Sequence, residues 1–352
     1  YALGASVFSV AMLSSAIFEV PTGVFSDHIG RRKTMVLGAV AASLGVLFYA
    51  IGGNYFFLVA GAILNGLSRA LYSGNNNALL YDTLKETGSQ ESFDDYMGKT
   101  HSLFQAALAV SAATGSIIAS YSFPLAVWLT LIPQAAAVIV ALMITEPKVY
   151  KKTASNIYKH LGSALKKFRS NRKLRLLSAS HVLKFSLSES SYQFKAAFVQ
   201  TVWPIWAIGF ASVLSNIGAT ASYFFSGKFI KRFKELKTLL IGTTYGKLAS
   251  ITALVFPSAW SPAIMSTTSI FFGVQHVAKE TLMQKEFSEE ERATMSSLNS
   301  LFASVGFAIA SFLLGFYADI VGPTKALLTA TILGIPVIFI YLRLFREDKA
   351  EK

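Results

Sequence analysis

The sequence predicts an all-α membrane protein built as a bundle of hydrophobic spanning helices, and three observations carry that prediction. Of the 352 residues, 53% are hydrophobic and 14% charged, with a mean hydropathy of +0.49; soluble domains carry about a quarter charged residues. Apolar stretches of spanning length recur eleven times, at about 1–25, 34–52, 55–80, 98–121, 123–145, 175–200, 205–227, 238–256, 260–279, 295–318 and 325–345. In hydrocarbon every backbone polar group needs an internal partner, so stretches of this kind are helices that cross the bilayer. Third, all but five of the 32 Lys and Arg fall in alternate loops, in the central linker or in the tail after Leu344, the exceptions being Arg69, Lys184, Lys195, Lys247 and Lys325. That one-sided bias sets those loops and the C-terminus in the cytoplasm. The net charge of +13 is therefore topology and contact with anionic lipid, and nucleic acid is not an expected partner.

Between the first two spans lies Gly23-Val-Phe-Ser-Asp27-His-Ile-Gly30-Arg31-Arg32-Lys33, a tight basic turn at the membrane surface. Gly23 permits close helix contact and Gly30 a sharp reversal, while Asp27 faces three successive bases. This pattern resembles the loop between the second and third helices of the major facilitator superfamily, with His28 standing where the family usually has arginine. The resemblance implies a secondary transporter of twelve helices in two halves, so the family's first helix is expected to be absent here and about eleven of twelve to be visible. It also implies a gate. In the family an acid placed like Asp82 pairs with the basic end of the loop, here Arg31 or Arg32, and an acid placed like Asp27 meets the start of the eleventh helix, here near 294–297. A helix start with free N–H groups stabilises a carboxylate, so such a latch would hold the outward-facing state and release inward.

Sliding the chain by 204 residues lays Gly227–Gly242 over Gly23–Gly38 without a gap, matching Gly23/Gly227, Phe25/Phe229, Lys33/Lys237, Thr34/Thr238 and Gly38/Gly242. Asp27 then meets Lys231 and Gly30 meets Lys234, so the second copy keeps place and charge and loses the acid. Two parallel repeats are the arrangement the resemblance implies. The expected organisation is an N-terminal half over 1–147, a basic linker over 148–174 and a C-terminal half over 175–352. Within the linker Ile157, Leu161, Ala164, Leu165 and Phe168 recur at helical spacing, which reads either as an amphipathic helix on the inner leaflet or as a solvated linker helix. Ser288 and Glu291 fit a capping box ahead of the next span.

Charges at mid-bilayer cost a few kcal/mol or more and need a partner or a wet cavity. Asn65, Arg69, Tyr72 and Asn76, spaced i, i+4, i+7 and i+11 in the span 55–80, share one helical face, reading as a cavity wall or, for Arg69 alone, as a structural cation bonded to carbonyls and Asn side chains. In 175–200, Lys184, Ser188, Ser191 and Lys195 share a face, with Glu189 off it near Tyr192. A carboxylate passing between dry and wet surroundings exchanges a proton. Glu189 is the first candidate for proton coupling and Glu19, beside Pro21, the second; an ion pair with a lysine and support of the inner gate are the respective alternatives. Gln275 and Asn299, able to donate and accept, join Lys184 as candidate cavity residues.

No His-Glu-x-x-His, Gly-x-Ser-x-Gly or phosphate-binding loop occurs, and there are no cysteines, so neither an enzyme, a metal site nor a cofactor is expected. The expected partners are a small organic solute, protons and membrane lipids, with the protein a monomer in the bacterial inner (plasma) membrane. The resemblance implies proton-coupled efflux by alternating access; a proton-symport carrier, a uniporter, or a receptor or scaffold that keeps the fold without transport are the alternatives.

Overall fold

The computed structural model describes residues 1–73, 75–89, 93–147, 171–286 and 292–350, without some side chains near helix ends, Asp27 and 292–297 among them. The linker helix over 157–168 and the Ser288–Glu291 cap lie outside that description. Among the described residues every regular element is helical and no strand occurs. Two compact units emerge: Ser6–Ala107 with Ile118–Ser155, and Asn156–Lys352 with Tyr1–Ala5 and Leu108–Ile117.

The Ser6–Ala107 unit is built from α1 (Ala2–Ile29), α2 (Arg31–Ile51), α3 (Tyr55–Tyr72), α4 (Asn75–Glu86), α5 (Phe93–Tyr121), α6 (Phe123–Leu129) and α7 (Leu131–Met143). Its tightest pairing is α2 against α3. Lipid tails give no hydrophobic drive between helices, so small residues that let backbones approach decide where they pack. A Cβ on Gly61 would lie 2.9 Å from the Gly45 carbonyl oxygen, and one on Gly45 3.0 Å from that of Gly61. Asn54 starts α3, its side chain accepting the Phe56 N–H at 2.9 Å.

One expectation is corrected here. The segment 55–80 is not one helix: α3 ends at Tyr72, Ser73 takes an extended ψ of 124°, and α4 begins at Asn75. The run Ser73-Gly-Asn-Asn-Asn offers poor helix formers that favour turns, and hydropathy is blind to them. The four-residue stripe therefore divides, with Asn76 on a different helix from Asn65, Arg69 and Tyr72.

The second unit holds α8 (Arg172–Val199), α9 (Ile205–Phe224), α10 (Ser226–Phe233), α11 (Glu235–Val255), α12 (Ser261–Thr267), a 3-10 turn (Thr268–Phe271), α13 (Phe272–Glu286), α14 (Arg292–Val321), α15 (Pro323–Leu333) and α16 (Pro336–Ala350). Asn171 caps α8 by accepting the Leu174 N–H at 3.0 Å. Two apolar clusters occupy opposite ends of these helices. Leu174, Leu177, Leu239, Leu282, Tyr341 and Leu344 fill one end; Phe194, Phe198, Ala253, Leu254, Leu314 and Leu327 fill the other. α8 lies along α14 through small residues, with Ser190 Oγ 3.5 Å from the Phe307 carbonyl.

Among the described residues, nine helical stretches are long and apolar enough to cross a membrane. The two expected spans missing from that set are 175–200, which is too polar along α8, and 260–279, which is divided into α12, the 3-10 turn and α13. Both departures fall where polar side chains gather.

Candidate functional site

Two sites can be built from the residues upward. The first is the turn into α2. Gly30 has φ 98° and ψ 161°, a backbone region essentially reserved for glycine. That conformation opens the first turn of α2, and Glu146, just past α7, fills it: Oε1 accepts the Arg31 N–H at 2.6 Å and Oε2 the Arg32 N–H at 2.7 Å. A carboxylate on free N–H groups at a helix start complements the helix dipole. A Cβ on Gly30 would lie 2.8 Å from Glu146 Oε1, so the glycine is needed twice, for its φ and for the carboxylate's seat.

The arginines of the turn then reach outward. Arg32 donates to the Leu142 carbonyl at 2.7 Å. Arg31 donates to Ser26 Oγ at 3.2 Å, and its Nε lies 3.8 Å from Asp82 Oδ2. Ser26 donates to Asn75 Oδ1 at 2.8 Å, and Asn75 Nδ2 returns to the Arg31 carbonyl at 3.0 Å. The break before α4 thus has a use, because it turns Asn75 and Asp82 onto the loop. Gly23 falls within α1 and Lys33 is exposed. The Asp27 side chain, and with it the expected contact near 294–297, is outside the described residues. Glu146 escaped the sequence reading, although it is the only acid between Asp95 and Glu189.

Elsewhere in this unit Glu19 is half-buried and accepts from Ser73 Oγ at 3.4 Å. Asn65 is half-buried, and Arg69 and Asn76 are exposed. Tyr72 sets its ring against α2, where a Cβ on Gly38 would lie 2.8 Å from Cε1. That makes Tyr72 a helix–helix contact.

The second site is a cavity of about 740 Å³ inside the unit that holds α8–α16, between its two apolar clusters. Lys184, Glu189, Gln275 and Asn299 line it together, whereas Asn65, Arg69, Tyr72 and Asn76 do not. Lys184 donates to Gln275 Oε1, which also accepts from Thr243 Oγ1 at 3.1 Å. Lys195 donates to Ser215 Oγ at 2.9 Å. Lys279 is paired with Glu280 at 2.7 Å and stands 3.4 Å from His181 Nδ1. Tyr223 meets Phe272 and His276 edge-on, with ring centroids 6.0 and 5.9 Å apart.

Glu189 is one residue off the Lys184–Ser188 face, yet the cavity is wide enough to take it along with Tyr192. Sequence reasoning missed His181, Lys279 and Glu280, having counted Lys279 as a loop charge at the end of 260–279. The signal available was the spacing of His276, Lys279 and Glu280 on one turn of α13. No group of three metal-ligating side chains occurs among the described residues. Of the aromatic lining, Tyr223 had no sequence signal separating it from the other rings.

A bundle of long apolar helices, with a carboxylate-seated turn in one unit and a polar cavity at mid-helix depth in the other, is the class of protein this arrangement defines. A family model described as Major Facilitator Superfamily matches residues 2–274 and 190–352, and the chain belongs to that family. It is a multi-pass integral membrane protein and a secondary transporter. Quinolone resistance protein NorA of Staphylococcus aureus (strain MRSA252) is 22% identical over 337 residues, covering 93% of this chain and 84% of that protein. The uncharacterized MFS-type transporter MJ1560 of Methanocaldococcus jannaschii is 21% identical over 361 residues, covering 97% and 88%. Among solved structures, the nucleoside transporter NupG superimposes with a TM-score of 0.76 at 13% identity, over 98% of this chain and 90% of that one. The E. coli fucose:proton symporter FucP does so at 0.57 and 13%, over 97% of each. These relatives and neighbours are transporters, and no enzyme stands among them.

Proposed function

We propose that the protein exports a small organic solute in exchange for protons, by alternating access in a bacterial inner membrane, with its C-terminus in the cytoplasm. The observation that carries this reading is Glu189, an acid in the wall of a 740 Å³ cavity that Lys184, Gln275 and Asn299 also line. Cavities of that size hold drug-sized ligands, and an acid at mid-helix depth needs a use. Export is favoured by the relative named for quinolone resistance, since removing a solute from the cell is one way to resist it. In this scheme 1–147 and 175–352 are the two halves, joined by the basic linker 148–174 on the inner leaflet. Asp27, Gly30, Arg31, Arg32 and Asp82 form the inner gate, with Glu146 holding the turn in shape. Glu19 supports that gate beside Pro21.

The test is transport in proteoliposomes with and without a pH gradient, across a panel of organic solutes. Glu189→Gln is expected to leave insertion intact and to flatten the pH dependence of transport. An unaltered pH profile in that variant would move the proton role to Glu19; an unaltered profile in both variants would refute proton coupling.

A further inference from the structure

Resting on the transporter reading above, we infer that the α8–α16 cavity takes organic anions. An acidic group such as a carboxylate is held by the Lys184 and Lys247 amines, and an apolar or aromatic body lies against Tyr223 and Phe272.

Charge balance is the first argument. The cavity wall carries Lys184, Lys195, Lys247 and Lys279 against Glu189 and Glu280. Glu280 is taken by Lys279 at 2.7 Å. Even if Glu189 neutralises one of the three remaining lysines, two positive charges are left over. Lys184 lies close enough to Lys247 for the two like charges to repel each other, and an anion between them relieves that repulsion.

The second argument is the nature of the partners. Lys184 has an amide oxygen and Lys195 a hydroxyl. Those groups orient an ammonium and do not neutralise it. Lys247 extends to Gly334, at the break between α15 and α16, where any side chain would collide with its Nζ. Cationic groups held by uncharged partners in a low-dielectric wall are costly, and an anionic solute supplies the charge that the amide and the hydroxyl do not. Two amines, one from α8 and one from α11, suit a carboxylate, sulfonate or phosphate as point-charge donors.

The third argument is the rest of the wall. Phe185, Tyr223, Leu239, Met265, Phe272 and Leu327 give the cavity a largely apolar surface. A small hydrophilic anion would leave that surface wet. An aryl or alkyl body would cover it and gain the usual burial energy.

The test is calorimetric binding to the full chain purified in a neutral detergent, using naphthoate, naphthamide and naphthylmethylammonium as probes of one shape and three charges. Naphthoate is expected to bind at least about tenfold more tightly than the amide, and the ammonium not measurably, from the worth of one charge-assisted hydrogen bond. Lys184→Gln and Lys247→Gln should each weaken naphthoate by about tenfold. Lys247→Arg should restore most of the loss, which also serves if one glutamine variant fails to fold. Lys325→Gln, exposed at the start of α15, should change nothing. Dodecanoate displacing naphthoate competitively would assign a lipid-derived acid to the same amines; failure to displace would assign the site to soluble aryl acids, and both uphold the anion site. Ammonium binding as strong as carboxylate binding, or carboxylate binding indifferent to the lysines, overturns it. Lysine-dependent naphthoate binding with no naphthoate counterflow in proteoliposomes would keep the site and remove the transport reading. Counterflow of the ammonium probe with no lysine dependence would do the reverse.

Discussion

Two turns lie 204 residues apart, and each opens a helix of 21 residues: Gly30 before Arg31–Ile51, and Lys234 before Glu235–Val255. Their backbones agree closely, with φ 98° and ψ 161° at Gly30 against φ 62° and ψ 163° at Lys234. The first hydroxyl of each helix closes in the same way, Thr34 donating to the Gly30 carbonyl at 2.8 Å and Thr238 to the Lys234 carbonyl at 2.7 Å. The side chains do not agree. At the first turn a carboxylate, Glu146, is seated on the helix start; at the second a lysine occupies the glycine's place. Lys234 is the only non-glycine with positive φ among the described residues. The comparison separates what the fold requires of such a turn, a left-handed reversal and a threonine, from what the first turn adds, a carboxylate seat joined to Arg31 and Asp82.

The largest effect is expected from breaking the first turn. Gly30→Ala forces an L side chain into a glycine-only region, at about 1–3 kcal/mol. It also pushes the new Cβ to 2.8 Å from Glu146 Oε1, displacing a carboxylate that accepts two backbone N–H bonds. Together these should cost about 3–4 kcal/mol, read as a fall of roughly 5–10 °C in Tm by scanning fluorimetry in detergent. Solute turnover in proteoliposomes should fall further than the stability loss alone explains. An alanine variant with unchanged Tm would show that the turn is not held by Glu146.

Glu146→Ala isolates the seat from the backbone strain. Two N–H groups at an exposed helix start return to water, so the cost should be near 1–2 kcal/mol and the Tm change about half that of Gly30→Ala. Glu146→Gln should fall between the variant and the parent, since an amide oxygen accepts but carries no charge for the dipole. Equal effects of Gln and Ala would assign the whole contribution to charge.

Why the sequence displayed some of this and hid the rest follows from the same residues. Gly30 was legible because a left-handed reversal selects glycine, and its partner position was legible through the gapless repeat. The conformation of Lys234 was not legible locally, since nothing about lysine signals positive φ. Glu146 was hidden by distance, its contacts with Arg31 and Arg32 spanning 115 and 114 residues. Helix breaks at Ser73, within 260–279 and at Gly334 were hidden for another reason. A hydropathy window records apolar length and ignores where glycine, proline and asparagine interrupt it. The cavity was half legible: helical spacing placed Lys184 and Lys195 on one face of α8. No pattern within one helix could say that Gln275, Lys247 and Asn299 from three others would meet that face.

The smallest expected effect is the one that sharpens the comparison most, because its sign is opposite. If both turns need the same backbone, Lys234→Gly relieves about 1–3 kcal/mol of strain and loses roughly 0.5–1 kcal/mol to the greater freedom of glycine in the unfolded chain. The balance is a stabilisation of about 1 kcal/mol, a rise of roughly 2 °C in Tm. The lost charge is one of several at that surface, Lys231, Arg232 and Lys237 remaining, so orientation in the membrane should not change. A lower Tm would mean that the lysine makes a contact worth more than its strain, and the second turn would then be a site in its own right, no longer a copy that has lost its acid.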